Sequence, residues 1–214
     1  MCGRFSLHSS KERVIKQYGA QIPFDFSPNY NIGPSQNVIA LTSEPSSKRI
    51  IARQLKWGMH PQREKTKKLL INARCESVHT KPTFIESFRQ SRCIIIADGW
   101  FEWLRENNQK KPHYFFRKDT RLLAFAGLIL NEEEKGHCAI LTRSAPTSIS
   151  HIHNRMPLSL TREQVNLWLS NKSFSHVSEN AINELDTSII DYYPVSQKVN
   201  SIKNNTSELI FKEN

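Results

Sequence analysis

The sequence predicts an α+β fold, a curved antiparallel sheet or barrel-like core with a few flanking short helices. Three observations predict it. Short apolar, β-branched runs recur along the chain, the clearest being the buried-strand pattern at residues 93–97. The helical stretches between them are few and short, and capping residues mark them. No internal repeat or low-complexity segment interrupts the 214 residues, which are enough chain for one domain with a real core.

Ser9-Ser10-Lys11-Glu12 reads as a capping box that opens a helix running to about Tyr18 and stopping at Gly19. Residues 21–36, rich in Pro, Asn and Ser, read as an irregular loop. Residues 37–42 and 50–57 read as strands joined by a turn at Glu44, Pro45 and Ser46, and residues 61–68 as a strongly basic loop. A second capping pattern, Thr83-Phe84-Ile85-Glu86, starts a short helix over 83–91. Strands follow at 93–97, 113–117, 122–130 and 137–142. Thr161 caps a helix to Leu169, another short helix falls in 171–187, and the tail from Asp191 is extended or looped.

Composition narrows the function. The formal net charge is +10, with the basic residues spread along the chain, which points to a polyanionic partner and to nucleic acid first. The longest apolar stretch, residues 122–130, is far too short to span a bilayer, and the N-terminus turns polar by Ser9, so a soluble intracellular protein is expected. Cys2, Cys75, Cys93 and Cys138 are scattered with no C-x-x-C pair, which argues against a zinc ribbon or disulfide framework and for reduced thiols.

The most informative residue is Cys2. A small residue at position two suits removal of the initiator methionine, and the mature chain would then carry an α-amine and a thiol on neighbouring carbons. Their reference pKa values, about 7.7–8.0 and about 8.5, leave both a nucleophilic fraction near neutral pH. The amine can form a Schiff base with an aldehyde, and the thiol can close a thiazolidine ring on the same carbon. An exposed aminothiol at the head of a cationic cleft is expected. Glu102, flanked by Phe101 and Trp103 after the buried strand, is placed for a desolvated, proton-shuttling carboxyl, or for a surface glutamate on a half-exposed strand. His151 and His153 form an H-x-H pair with no third ligand at a telling spacing, so neither metal nor cofactor is indicated. His153 serves as acid/base or as a structural hydrogen-bonder. Asn72 positions a substrate oxygen or caps a turn. Arg4 and Arg74 suit phosphate contacts, and Trp57 and Trp103 suit either base stacking or the core.

Taken together, Met1-Cys2-Gly3-Arg4-Phe5, Trp57-Gly58, Asn72-Ala73-Arg74, Ala97-Asp98-Gly99-Trp100-Phe101-Glu102-Trp103, His153-Asn154-Arg155-Met156-Pro157 and Pro194-Val195-Ser196 with Val199-Asn200 and Asn204-Asn205 resemble the SRAP (SOS response-associated peptidase) family. They stand in the family's order and span nearly the whole chain. The resemblance implies a sensor of abasic sites in single-stranded DNA that links itself covalently to them. It implies Cys2 as the nucleophile after self-removal of Met1, Asn72 as the residue positioning the opened sugar, Glu102 as general acid/base, and His153 as the aid to ring opening and reversal. It implies Arg4 and Arg74 on phosphates, and Pro34, Trp103 and Thr142 along the DNA path. Schiff-base lyase chemistry is the expected side reaction. A monomer is expected, in the bacterial cytoplasm at the nucleoid or in the eukaryotic nucleus. The chain departs from the pattern where Pro61 is followed by Gln62 and Arg63 instead of an aromatic residue, and at Cys75 and Ser77. Two alternatives fit parts of the pattern, a non-catalytic reader of single-stranded or modified DNA and an N-terminal-nucleophile glutamine amidohydrolase.

Overall fold

The computed structural model describes residues 2–44, 47, 49–60, 68–107, 109–131, 136–170 and 187–213. Twelve strands are described, β1 (Phe5–Leu7), β2 (Asn29–Ile32), β3 (Asn37–Ser43), β4 (Ile50–Trp57), β5 (Asn72–Arg74), β6 (Arg92–Ala97), β7 (Gly99–Glu106), β8 (Gln109–Arg117), β9 (Leu123–Ile129), β10 (His137–Ser144), β11 (Arg155–Pro157) and β12 (Ile190–Pro194). The described helices are α1 (Lys11–Tyr18), α2 (Ile85–Gln90), α3 (Thr147–Ser150) and α4 (Arg162–Trp168).

The strands form two sheets. One has the order β12-β8-β7-β1-β2. The other runs β11-β10-β4-β3-β6-β9 with β5 beside β10, and an extra β9–β10 pairing curls it back on itself. Most pairings are antiparallel, and β10 is parallel to β4 and β5. The α+β reading with a curved, mostly antiparallel core therefore holds. The core lies between the sheets, where Phe5 packs edge-on to Trp57 at 5.1 Å and to Phe125 at 6.1 Å. Full burial of such a ring is worth about 1.5–3 kcal/mol. Phe5 thus ties the N-terminal strand, and with it Cys2, to the opposite sheet.

Local signals explain most boundaries and some shifts. Gly19 ends α1 at a φ of 66°, a left-handed conformation that glycine adopts without strain. The cap of α1 is Ser10, whose side chain accepts from the Arg13 amide, and not Ser9, because the Ser9 hydroxyl donates to Asp98 at 2.5 Å. Asp98 also accepts the amides of His8 and Ser9 at 2.7 and 2.8 Å, so this one carboxylate fastens the exit of β1 to the β6–β7 junction. The helix expected at 83–91 begins at Ile85 without a side-chain cap, since the Phe84 and Ile85 amides already bond the Lys81 carbonyl. Thr161 and Gln164 form the reciprocal capping box of α4. Within the expected loop 21–36, β2 forms by pairing with β1, and the expected tail forms β12 along residues 113–117 of β8. The basic loop 61–67, the segment 171–186 and the turn residues Pro45 and Ser46 lie outside the described residues. Among the described residues no helix is long and apolar enough to cross a membrane.

Gly99 permits the close approach of β7 to β8. A Cβ there would lie 2.4 Å from the Phe115 carbonyl oxygen and 2.4 Å from the Tyr114 ring. Gly99→Ala is expected to destabilise the protein by about 2–3 kcal/mol through overpacking. Urea unfolding measures it, and an unchanged midpoint would show that β8 yields at no cost.

Candidate active site

The N-terminal segment, β5, β7 and the turn before β11 bring four of the expected residues together. Cys2 stands just ahead of β1, and its carbonyl accepts a 2.8 Å hydrogen bond from the Asn72 side-chain amide at the start of β5. The other side-chain atom of Asn72, Oδ1, is buried with no hydrogen-bond partner among the described residues. An orphaned acceptor of this kind is a place for a donor from a ligand. Glu102 extends from β7 and is 3% exposed. Its Oε2 lies 4.0 Å from His153 Nε2, in reach of a bridging water or substrate atom but beyond a direct hydrogen bond. Asn72 and Glu102 are therefore not turn-cap and surface residues.

Electrostatics sets their protonation. Burial pushes the Glu102 carboxyl up to about 7, against the opposing pull of the positive amino terminus. At neutral pH it holds a proton for much of the time and can both give and take one. Burial, reinforced by the same positive charge, holds His153 below the usual histidine range, so the ring is neutral. Its Nδ1 lies 2.9 Å from the Arg155 amide nitrogen and 3.1 Å from the Arg155 carbonyl oxygen, so the Arg155 backbone holds the ring with Nε2 turned toward Glu102. Cys2 departs from expectation. Its side chain is 0% exposed, and burial, with the neighbouring Glu102 charge, holds the thiol well above the usual range. In the chain that carries Met1 the sulfur is a neutral, enclosed group and its nitrogen is an ordinary amide.

This centre opens into a cleft of about 530 Å³ lined by Arg4, Glu102, Trp103, Arg105, Lys110, His153 and Asn200. Arg4 donates to Asn31 Oδ1 at 2.8 Å and to the Val199 carbonyl at 3.0 Å. Trp103 is half-buried, and its indole N–H donates to Asn200 Oδ1 at 2.8 Å. Trp57 belongs to the core instead, with its N–H bonded to the Ile71 carbonyl at 2.9 Å. Pro34, in the turn between β2 and β3, and the exposed Arg74, at the end of β5, lie outside this cleft. Thr142 is 0% exposed, and its hydroxyl faces the Ala73 carbonyl and the Arg155 guanidinium. His151 turns away from His153 and meets the Tyr192 ring. All four cysteines are buried and free of disulfides.

Four contributors receive no role from the sequence. Asn31, 1% exposed, accepts from Arg4 and donates to the carbonyls of Ser201 and Asn204 at 3.0 and 2.8 Å, joining β2 to the turn that presents Asn200. Arg155 grips Glu76 through two hydrogen bonds of 2.6 and 2.9 Å and the Thr142 carbonyl at 2.5 Å, which fixes the backbone beside His153. Arg105 and Lys110 complete the cationic border. The roles of Asn31 and Arg155 depend on partners elsewhere along the chain, which the composition of a single segment does not signal.

Fold and site together define a two-sheet α+β protein with a protonatable glutamate and a neutral histidine in a cationic cleft bordered by tryptophan, and an enclosed cysteine close to the glutamate. The sequence matches the family described as SOS response associated peptidase (SRAP) over residues 1–202, and the chain belongs to that family. It is similar to the abasic site processing protein YoaM of Bacillus subtilis, with 35% identity over 227 residues that cover 100% of this chain and 99% of that protein. It is also similar to the abasic site processing protein YedK of Escherichia coli, with 30% identity covering 98% of this chain and 99% of that one. Among solved structures, a Bacteroides thetaiotaomicron protein shares the fold at a TM-score of 0.84 and 23% identity, covering 99% of this chain and 100% of that chain.

Proposed function

We propose that this protein processes abasic sites in single-stranded DNA by forming a thiazolidine between its mature N-terminal cysteine and the opened sugar. The observation that carries the reading is the convergence of two pairs, Glu102 with His153 in a cleft bordered by arginine and lysine, and the enclosed Cys2 with Asn72, joined by the closeness of Glu102 to Cys2. Names of the relatives in the same family support the substrate class.

The chemistry begins with loss of Met1, which turns the Cys2 amide nitrogen into a free amine. An abasic deoxyribose exposes a C1′ aldehyde when its ring opens, and His153 assists that opening. The neutral amine adds to C1′ and gives a carbinolamine. Protonated Glu102 donates to the departing hydroxyl, which leaves as water, and an iminium ion remains beside the Glu102 carboxylate. The Cys2 sulfur then adds to C1′ while its proton passes to Glu102, which restores the acid form. One water is lost overall. A thiol held neutral by burial suits this order, since amine attack comes first and the sulfur reacts only with the activated iminium. Asn72 Oδ1, the orphaned acceptor, accepts a hydrogen bond from the Cys2 amine or from a sugar hydroxyl. Arg4 and Arg74 hold phosphates, and Pro34 and Trp103 border the strand's path. Thr142, being enclosed, acts through its hold on Arg155.

Intact mass spectrometry after incubation with an abasic single-stranded oligonucleotide tests the reading. The expected species is the protein without methionine plus the oligonucleotide, less one water, and an undamaged strand of the same sequence gives none. Equal capture of the undamaged strand, or capture by protein that still carries Met1, would refute it.

A further inference from the structure

The hairpin of β7 and β8 carries a feature that the adduct chemistry does not use. Strand β1 pairs with β7 only at Trp100 and Gly99, and the last bond between them runs from the Phe101 amide to the Arg4 carbonyl. From Glu102 to Glu106, β7 has β8 on one side and the cleft on the other. Backbone polar groups in an antiparallel strand point alternately to the two sides. Because the Phe101 amide points toward β1, those of Trp103 and Arg105 point to the same, unpaired edge. Residues on both faces of this edge therefore border the cleft, Glu102 from one face and Trp103 and Arg105 from the other.

Arg105 and Lys110 are directly opposed across the hairpin. Like charges in that position destabilise a sheet. No carboxylate lies within ion-pair reach of either among the described residues, whereas the adjacent Lys111 is paired with Glu106 at 2.7 Å. The hairpin thus neutralises the lysine that does not line the cleft and leaves two opposed cations that do. The Arg105 charge also reaches His153, whose proton affinity it lowers. Beside them Trp103 is held by Asn200 and backed by the cluster containing Phe101, Tyr114 and Val199.

We propose that the free edge of β7, with Arg105 and Lys110, is a phosphodiester-binding ledge that holds the single strand beyond the nucleotide lying against Trp103. The proposal rests on the single-stranded DNA reading above and adds a second anchoring point outside the reacting centre. Recognition there is of backbone charge, and so is independent of base sequence. Binding of an anion is what offsets the opposed cations.

The test measures affinity for an undamaged single-stranded oligonucleotide across a range of salt concentrations, for the wild type, the Arg105→Gln/Lys110→Gln double variant and Lys111→Gln. Each phosphate neutralised on a single strand contributes about 0.7 to the slope of log K against log salt. The double variant is expected to lose about 1.4 from that slope and to bind more weakly at low salt, while Lys111→Gln keeps the wild-type slope. It is also expected to melt no lower than the wild type, because a repulsion has been removed. An unchanged slope, an equal loss in Lys111→Gln, or a lowered melting temperature would overturn the ledge. A wild type that shows the slope difference but forms no adduct with abasic DNA would leave the ledge standing and overturn the thiazolidine chemistry instead.

Discussion

Cys2→Ala is expected to abolish every denaturation-resistant adduct with abasic single-stranded DNA. Alanine at position two is as small as the residue it replaces, so methionine removal continues and the α-amine is still produced. The amine still condenses with the C1′ aldehyde, with Glu102 assisting the loss of water. What is missing is the sulfur that traps the iminium ion. The iminium acidifies the C2′ protons, and loss of one of them expels the 3′ phosphate. The variant is therefore expected to lose the stable crosslink, to gain strand cleavage, and to become trappable only by borohydride reduction. Since Cys2 is fully enclosed, removing its Sγ also leaves a small void, which costs at most about 1 kcal/mol and leaves the fold intact. Gel electrophoresis with and without borohydride separates the outcomes. A variant that still forms a heat-stable adduct would show that another nucleophile reacts. One that neither crosslinks nor cleaves would show that the amine is not delivered to the sugar.

Local signals read well. Gly19 and Thr161 mark helix ends because the cap is made within a few residues. The run at β6 reads as a buried strand because its apolar pattern is continuous. Strands β2, β5 and β11 do not read, since three or four residues carry too little pattern and their pairing partners are remote, as with Phe5 and Ile32 or Asn72 and Ile140. The same holds for the site. Cys2, Asn72, Glu102 and His153 are legible as residue types suited to aldehyde chemistry, and the structure adds their convergence. Asn31 is not legible, because its function depends on carbonyls about 170 residues away. The enclosure of Cys2 is not legible either. It follows from Phe5, which draws the N-terminal strand into the core between the two sheets and carries its neighbours with it. The two tryptophans equally suited to stacking part ways for a similar reason, since Trp57 faces Phe5 in the core and Trp103 sits on the free edge of β7.

Glu102→Gln is expected to slow adduct formation by about 10²–10⁴-fold, the usual contribution of a positioned general acid and base, and to make the folded protein more stable at the same time. In the parent protein two ionisations shape the rate. The amine must be neutral, which favours pH above about 7.7–8.0, and Glu102 must hold its proton, which favours pH below about 7. The profile is therefore a bell with its maximum between those values. Glutamine keeps the size and a hydrogen-bonding group but has no proton to give, so the residual rate is expected to rise with pH and level off without the alkaline fall. The stability change has a definite sign. A carboxyl whose folded value is raised to about 7 from an unfolded 4.5 binds its proton more tightly in the folded state. That preference stabilises the fold fully below pH 4.5 and is lost as the pH climbs through 7, beyond which the buried carboxylate costs about 3 kcal/mol relative to acid conditions. Glutamine carries no such charge, so urea unfolding at pH 8 is expected to show a gain of about 1–3 kcal/mol for the variant over the parent, shrinking toward nothing at pH 4. A slower reaction joined to a pH-dependent gain in stability is what a group held under desolvation for proton transfer produces. A glutamate serving only to hold the strand together would instead give a loss of stability at both pH values, and a bell that survives in the glutamine variant would assign the alkaline limb to another group.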